Sequence, residues 1–329
     1  MGPLFGLHLH SVFTDSFTRY LPSLSPAMAP SLWSGWTKAA ILALISLQLP
    51  LSSTAAAVDP GCAPRFSFEN SELTDAAIAD LAKADPSSSA LLGFGDDLEP
   101  SSPSSAKKSP PGPSPSCKVF PGDAAWPADM AWKAFNASLG GALIKTTPLA
   151  APCYNNWPAV RSAAQCEYIT SRWADPHLHV EDPTSAQFPI FQGRTCLPTD
   201  DPTQNCTLGG FASYSVAVTK VAQIQLALNF ARNANIRLVV RNTGHDFADK
   251  SIGAGSLSIW THKLKELKFY GDYKCGKYKG PVFKLGAGVV TEEVYAAAER
   301  EGVTAVGGEC RVSFASPCFV GFVVLVERS

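Results

Sequence analysis

"IRLVVRNTGHDF", residues 236–247, runs from a β-branched apolar stretch into a glycine turn carrying His245. The apolar run predicts a buried strand. After Arg241, small polar residues offer closely spaced backbone N–H groups, and Gly244 lets that backbone approach a partner. A nest of this kind receives phosphate oxygens. Arg241, Asn242, Thr243, Gly244, His245 and Asp246 are therefore candidate binding residues. The plainer alternative is a tight turn with a hydrogen-bonded structural histidine.

Regular alternation surrounds this stretch. "YSVAVT" (214–219), "SLSIWT" (256–261), "LKELKFY" (264–270), "PVFKLGAG" (281–288) and "VTAVGG" (303–308) read as strands. Thr219 is expected to cap a helix with apolar positions Val221, Ile224, Leu228 and Ala231. "TEEVYAAAEREG" (291–302) predicts a second helix closed by Gly302. Strands alternating with single helices indicate an α/β or α+β domain over 211–310, and α+β is the fold class expected.

Upstream, residues 58–210 look like a loop-rich, disulfide-containing extension. Its segment 86–116 is Pro/Ser-rich and reads as a linker that cannot repay its ordering entropy. From Cys117 to about Gly210 the chain is rich in Pro, Trp and Cys, with short helices expected around 127–138. Trp126, Trp132, Trp157 and Trp173 are expected in core positions. His177 and His179 beside Asp175 and Glu181 have metal-ligating chemistry, but a Pro-containing solvated loop is the expected setting.

The 329 residues carry a net charge of −1, with no long block of either sign, so nothing points to nucleic acid. Lys38, the apolar run 39–51 and Ala55 to Ala57 have the layout of a secretory signal over 1–57. Met28 would open a signal of ordinary length, making 1–27 a misassigned start. The apolar run is too short to span a bilayer. A secreted chain is expected to pair most of its nine cysteines, and the odd number leaves at least one for another role. Asn136 and Asn205 begin glycosylation sequons and fit the same compartment.

Gly286-x-Gly288, followed by a helix, a strand and Glu309, is a second candidate, a dinucleotide-binding fingerprint that would make a nicotinamide-dependent enzyme. Thr291 stands where its third glycine belongs, so the signal is weak.

Taken together, "RNTGHDF" with Ser251, "GAGV" with the helix after it, and "VGGEC" (306–310) resemble the FAD-linked oxidases of berberine bridge enzyme type. These belong to the vanillyl-alcohol oxidase superfamily, with a PCMH-type FAD-binding domain; secreted fungal isoamyl alcohol oxidases are similar in flavour. The resemblance runs from about Cys117 to Cys310. It implies the N-terminal part of a two-lobed FAD-binding domain. It also implies FAD bonded covalently through His245 to its 8α carbon and through Cys310 to C6. Ser251 and Gly308 would join the 241–246 loop around the cofactor, and an alcohol or similar small molecule would be oxidised with oxygen as acceptor.

This chain departs from the family in two places. Asp249 replaces a glycine, and after Cys310 the family's Pro-Thr-Val-Gly gives way to "RVSFASPCFVGFVVLVERS". Residues 311–329 are therefore expected to be an aberrant tail, with intron read-through starting at Val312-Ser313; the alternative is an apolar terminal strand. No catalytic residue is assigned, because the family's substrate domain is missing. An inactive oxidase fragment is the expectation. A secreted fragment without flavin is the competing class.

Overall fold

The computed structural model describes residues 63–84, 90–94, 117–248, 250–313 and 322–328. The expected signal, most of the linker, and Cys62, Asp249 and Cys318 lie outside them. Among the described residues eight strands form two four-stranded sheets.

The first sheet has the order β1-β2-β4-β3. β1 (Leu143–Lys145) is antiparallel to β2 (Tyr214–Ala217). β4 (Leu257–Trp260) lies parallel to both β2 and β3 (Leu238–Arg241). Their register puts Ala217, Trp260 and Arg241 side by side at the carboxyl end of the parallel strands. In open α/β sheets that end carries the ligand crevice.

Helix α1 (Asp75–Ala84), α2 (Asp129–Ser138) and α5 (Val221–Asn233) contribute to the core on this sheet. Phe135 stacks on Phe230 at 4.1 Å, and Trp132 on Tyr214 at 3.9 Å. Trp126 packs at the edge of the same core, as expected, while Trp157 and Trp173 pack against the half-cystine cluster.

In α5 the buried arc is Ile224, Leu226, Ala227, Phe230 and Ala231, and Leu228, expected inside, is exposed. At helical spacing Leu228 lies about 40° past Ile224, just beyond the edge of that arc. Thr219 is not the cap either. The N-cap is Lys220, without a side-chain bond, and the Thr219 N–H donates to Gln223 Oε1 at 2.8 Å.

The second sheet has the order β5-β6-β8-β7. β5 (Leu267–Cys275) and β6 (Tyr278–Leu285) form an antiparallel hairpin. Its turn uses Gly276 at φ 57°, a left-handed conformation that costs glycine little. Val294, Ala297 and Ala298 of α6 (Thr291–Glu301) pack on Phe283 and Leu285 of β6. Gly302 ends α6 with φ 64°, as its position predicts.

Residues 322–328, expected to belong to a foreign tail, form β8 between β6 and β7 (Val303–Ala305), antiparallel to both. The loop-rich extension over 58–210 contacts both sheets. It supplies β1 and α2, and Lys284 of β6, buried, pairs with Glu69 at 2.5 Å and donates to the Pro64 carbonyl at 2.8 Å. Disulfides Cys153–Cys166 and Cys196–Cys206 hold the stretch between β1 and β2. That stretch includes α3 (Ala163–Arg172) and α4 (Pro176–Glu181).

Candidate functional site

Arg241 ends β3 with its guanidinium inside the protein; the residue is 1% exposed. Among the described residues no carboxylate pairs with it. Its Nη1 donates to the Asp182 carbonyl and its Nη2 to the His179 carbonyl, each at 2.6 Å, with a longer bond to the Thr243 carbonyl at 3.4 Å. Burial pulls its pKa down to about 10, opposed by Asp182, so it stays charged at neutral pH. Carbonyls at the end of α4 thus carry its charge compensation, as a helix C-terminus does for a cation.

The turn after Arg241 is built on this guanidinium. Gly244 adopts φ 73°, and a Cβ there would sit 2.9 Å from Arg241 Nε. The Gln187 side chain donates to the Thr243 carbonyl at 3.3 Å, and its backbone N–H to the Gly244 carbonyl at 3.4 Å. Among the described residues, no acceptor takes the backbone N–H groups of Thr243, Gly244 or His245. Consecutive free donors in a left-handed turn make an anion-binding nest.

His245 is half-buried between two aromatic edges, with ring centroids 6.3 Å from Phe188 and 6.1 Å from Phe247. Phe247 itself is 72% exposed. The Asp246 carboxylate folds the loop back by accepting from the Lys250 N–H at 2.7 Å and from the Ser251 hydroxyl. Burial raises the Asp246 pKa, but these hydrogen bonds outweigh it and hold the group below the usual range. Asp246 and Ser251 are thus each other's partners. Asn242 accepts from Trp260 Nε1 on its carbonyl at 3.1 Å, and its Oδ1 lies 3.0 Å from His262 Nδ1. Its Nδ2 is buried without a partner among the described residues. Burial, with help from Lys265, Arg241 and Lys263, depresses the His262 pKa to about 3, so the ring is neutral and the Nδ1–H donates to Asn242.

Thr261 joins this loop to the second glycine motif, because its hydroxyl reaches the Arg241 carbonyl at 3.4 Å and the Ala287 carbonyl at 3.3 Å. The motif does not cradle a dinucleotide. A Cβ on Gly286 would collide with the Leu264 carbonyl, and one on Gly288 would lie 2.5 Å from the His262 carbonyl, so both glycines serve backbone packing. The N-terminus of α6 is filled as well. The Thr291 and Glu292 N–H groups donate to the Ser313 and Arg311 carbonyls, and Glu293 accepts from the Val290 N–H. A pyrophosphate needs those donors free, so the nicotinamide alternative loses its site.

Cys310 lies in the turn that fills this helix end. Its side chain is exposed, its thiol is unpaired, and its carbonyl accepts from the Ser313 N–H at 2.9 Å. The Gly308 carbonyl accepts from the Tyr295 hydroxyl at 2.9 Å. No hydrogen bond or ring contact joins Cys310 to His245 among the described residues, so the two candidates stand in separate turns.

The metal-ligating candidates lie on a helix, and the expected solvated loop is corrected. Asp175 caps α4 through the His177 N–H at 3.0 Å. His179 is buried between the Ser185 hydroxyl at 2.7 Å and the Trp173 carbonyl at 2.8 Å, and burial lowers its pKa. No metal-holding cluster occurs among the described residues. Gln187, His262 and the carbonyls of 179–182 escaped the sequence reading. "EDPTS" (181–185) carries the Asx-turn signal that ends α4 there, with Asp182 accepting from the Thr184 and Ser185 N–H groups at 2.8 Å. Asn205 is exposed. Asn136 is half-buried in α2, and its Oδ1 accepts from the Leu143 N–H at 3.0 Å.

Residues 212–314 match the model of the FAD binding domain family. Over 198 residues the chain is 46% identical to a VAO-type flavoprotein oxidase of Thermothelomyces thermophilus, covering 60% of this chain and 34% of that protein. It is 43% identical over 198 residues to an FAD-linked oxidoreductase of Gibberella zeae, with the same coverage. The crystal structure of a VAO-type flavoprotein from Myceliophthora thermophila C1 superposes with a TM-score of 0.59 at 45% identity, covering 60% of this chain and 36% of that one. The chain spans about a third of the length of the curated relatives it matches.

Proposed function

We propose that this chain, whose residues 212–314 belong to the FAD-binding domain of the vanillyl-alcohol oxidase superfamily, holds the flavin of an FAD-linked oxidoreductase. The 241–246 loop and Cys310 do the holding. The observation that carries this reading is the run of unclaimed N–H groups at Thr243, Gly244 and His245, at the carboxyl end of a parallel sheet. It fits FAD because those donors match a pyrophosphate, while the fixed positive charge of Arg241 lies just behind them. The half-buried imidazole of His245 stands next to these donors, where a ring nitrogen can be bonded to the flavin 8α carbon. The exposed Cys310 thiol is the second attachment point, at C6.

When bound, FAD supplies two-electron oxidation of an alcohol or similar small molecule, with oxygen as acceptor. The chain's own residues bind and orient. Asn242 is fixed by Trp260 and His262, and Asp246 with Ser251 closes the loop behind His245. The leader over 1–57, secretion, and glycans at Asn136 and Asn205 complete the reading, Asn205 being the more open acceptor.

The test is the colour of the denatured chain after secretion with FAD supplied. Wild type should retain flavin absorbance in denaturant. His245→Ala should retain only what Cys310 holds, and the His245→Ala/Cys310→Ser pair none. A chain that is colourless before denaturation is the fragment without flavin and overturns the reading.

A further inference from the structure

Arg241 and Gln187 do not face the reacting side of the loop, yet they fix how it faces. No cis peptide occurs among the described residues, so across each peptide the C=O and N–H point opposite ways. The Thr243 carbonyl is drawn toward Gln187 Nε2 at 3.3 Å and Arg241 Nη2 at 3.4 Å, which sends the Gly244 N–H the other way. The Gly244 carbonyl is drawn toward the Gln187 N–H at 3.4 Å, which likewise sends the His245 N–H outward. Arg241 is held in turn by the His179 and Asp182 carbonyls, and Ser185, hydrogen-bonded to His179 at 2.7 Å, lies with its carbonyl against Gly244.

We propose that Arg241 and Gln187 are positioning residues: with residues 179–187 they form a clasp that aims the Gly244 and His245 N–H groups and the His245 ring at the flavin. The clasp lies largely outside the matched domain, which begins at residue 212. It predicts that attachment, more than folding, depends on these contacts. Lysine at 241 keeps the charge but lacks the planar fork that reaches two carbonyls at once. Alanine at 187 removes the side-chain bond and leaves the backbone bond in place. The inference rests on the flavin reading for its consequence, but not for its geometry.

The experiment uses the full chain and three measurements. The first is hydrogen exchange at the Gln187 amide without flavin. Wild type should be protected and Arg241→Lys should exchange fast; equal protection overturns the clasp, whether or not flavin binds. The second is the rate at which added FAD becomes resistant to denaturation. Misplacement of a reacting group by about 1 Å costs on the order of 100-fold, so Arg241→Lys should attach about 100-fold more slowly and Gln187→Ala less severely. The third is the amount of FAD bound before attachment, which should change far less than the rate. If both variants attach flavin at the wild-type rate, the positioning role is overturned while the flavin reading stands. If wild type attaches none, the flavin reading fails, and the exchange data alone judge the clasp. Should Arg241→Lys not fold, Gln187→Ala carries the rate comparison, and attachment at the wild-type rate in that variant overturns the positioning role.

Discussion

His262 has no bond to spare for a proton. Its ring stacks on Trp260 with centroids 5.7 Å apart, Nδ1–H serves Asn242, and Lys265, Arg241 and Lys263 crowd it with positive charge. Its folded pKa of about 3 lies well below the value of about 6.5 for a free histidine. Between those values the unfolded chain binds a proton that the folded chain refuses, so stability rises with pH across that window and is lost as the solution is acidified. One such proton gives a slope of about 1.4 kcal/mol per pH unit. His179, buried and shifted the same way, adds to it. Replacing His262 with Gln, which can still donate to Asn242, should flatten the fall in stability between pH 6 and 4 when followed by urea unfolding. An unchanged slope would show that the ring is not buried neutral. His245 itself was legible in the sequence as a turn residue, because strand, small polar residues and glycine are all local signals. The residues that hold its loop were not legible. Gln187 and Thr243 are separated by 56 positions and meet only through tertiary packing.

At the level of elements, glycines of one motif class divide into two physical roles. Gly302 ends α6 with φ 64° and open space around it, so Gly302→Ala should cost about 1 kcal/mol for the left-handed backbone. Gly288 has an ordinary φ, but its absent Cβ leaves room for the His262 carbonyl, so Gly288→Ala should cost about 3 kcal/mol or more through overpacking. Thermal unfolding of the two variants would check the ranking. Equal small effects would mean that the 286–288 segment does not pack against 261–264. The strands here were readable because β-branched runs are bounded by turns, and α6 because its stop is a glycine. The buried face of α5 was not, since Asn229 and Leu226 are covered as well. Asn229 donates to the Leu92 carbonyl at 2.9 Å, a partner far upstream that periodicity does not reveal. The helix α4 was hidden by its brevity and its proline. Pro176 in fact suits the first turn, where no amide hydrogen is needed.

Across the whole molecule, segments that read as separate in sequence are tied together by a few polar contacts at depth. Lys284 anchors residues 64–69 on the second sheet, and the Leu73 N–H donates to Gln225 of α5 at 2.6 Å. β8 pairs with β6 and β7 in the second sheet, so an apolar segment expected to be foreign occupies a place that otherwise leaves two open edges. The α+β class and the flavin-domain resemblance were legible because they rest on local motifs. The place of β1 was not, because it enters the sheet from a stretch dominated by Pro, Cys and Trp. The central claim is that the nest and His245 together hold FAD, and peptide mapping tests it most directly. After secretion with FAD and tryptic digestion, the peptide 242–250, which contains His245, should carry the mass of the flavin, and 301–311, which contains Cys310, should carry it or share it. Both peptides found at their unmodified masses, from protein that had bound FAD, would contradict the account.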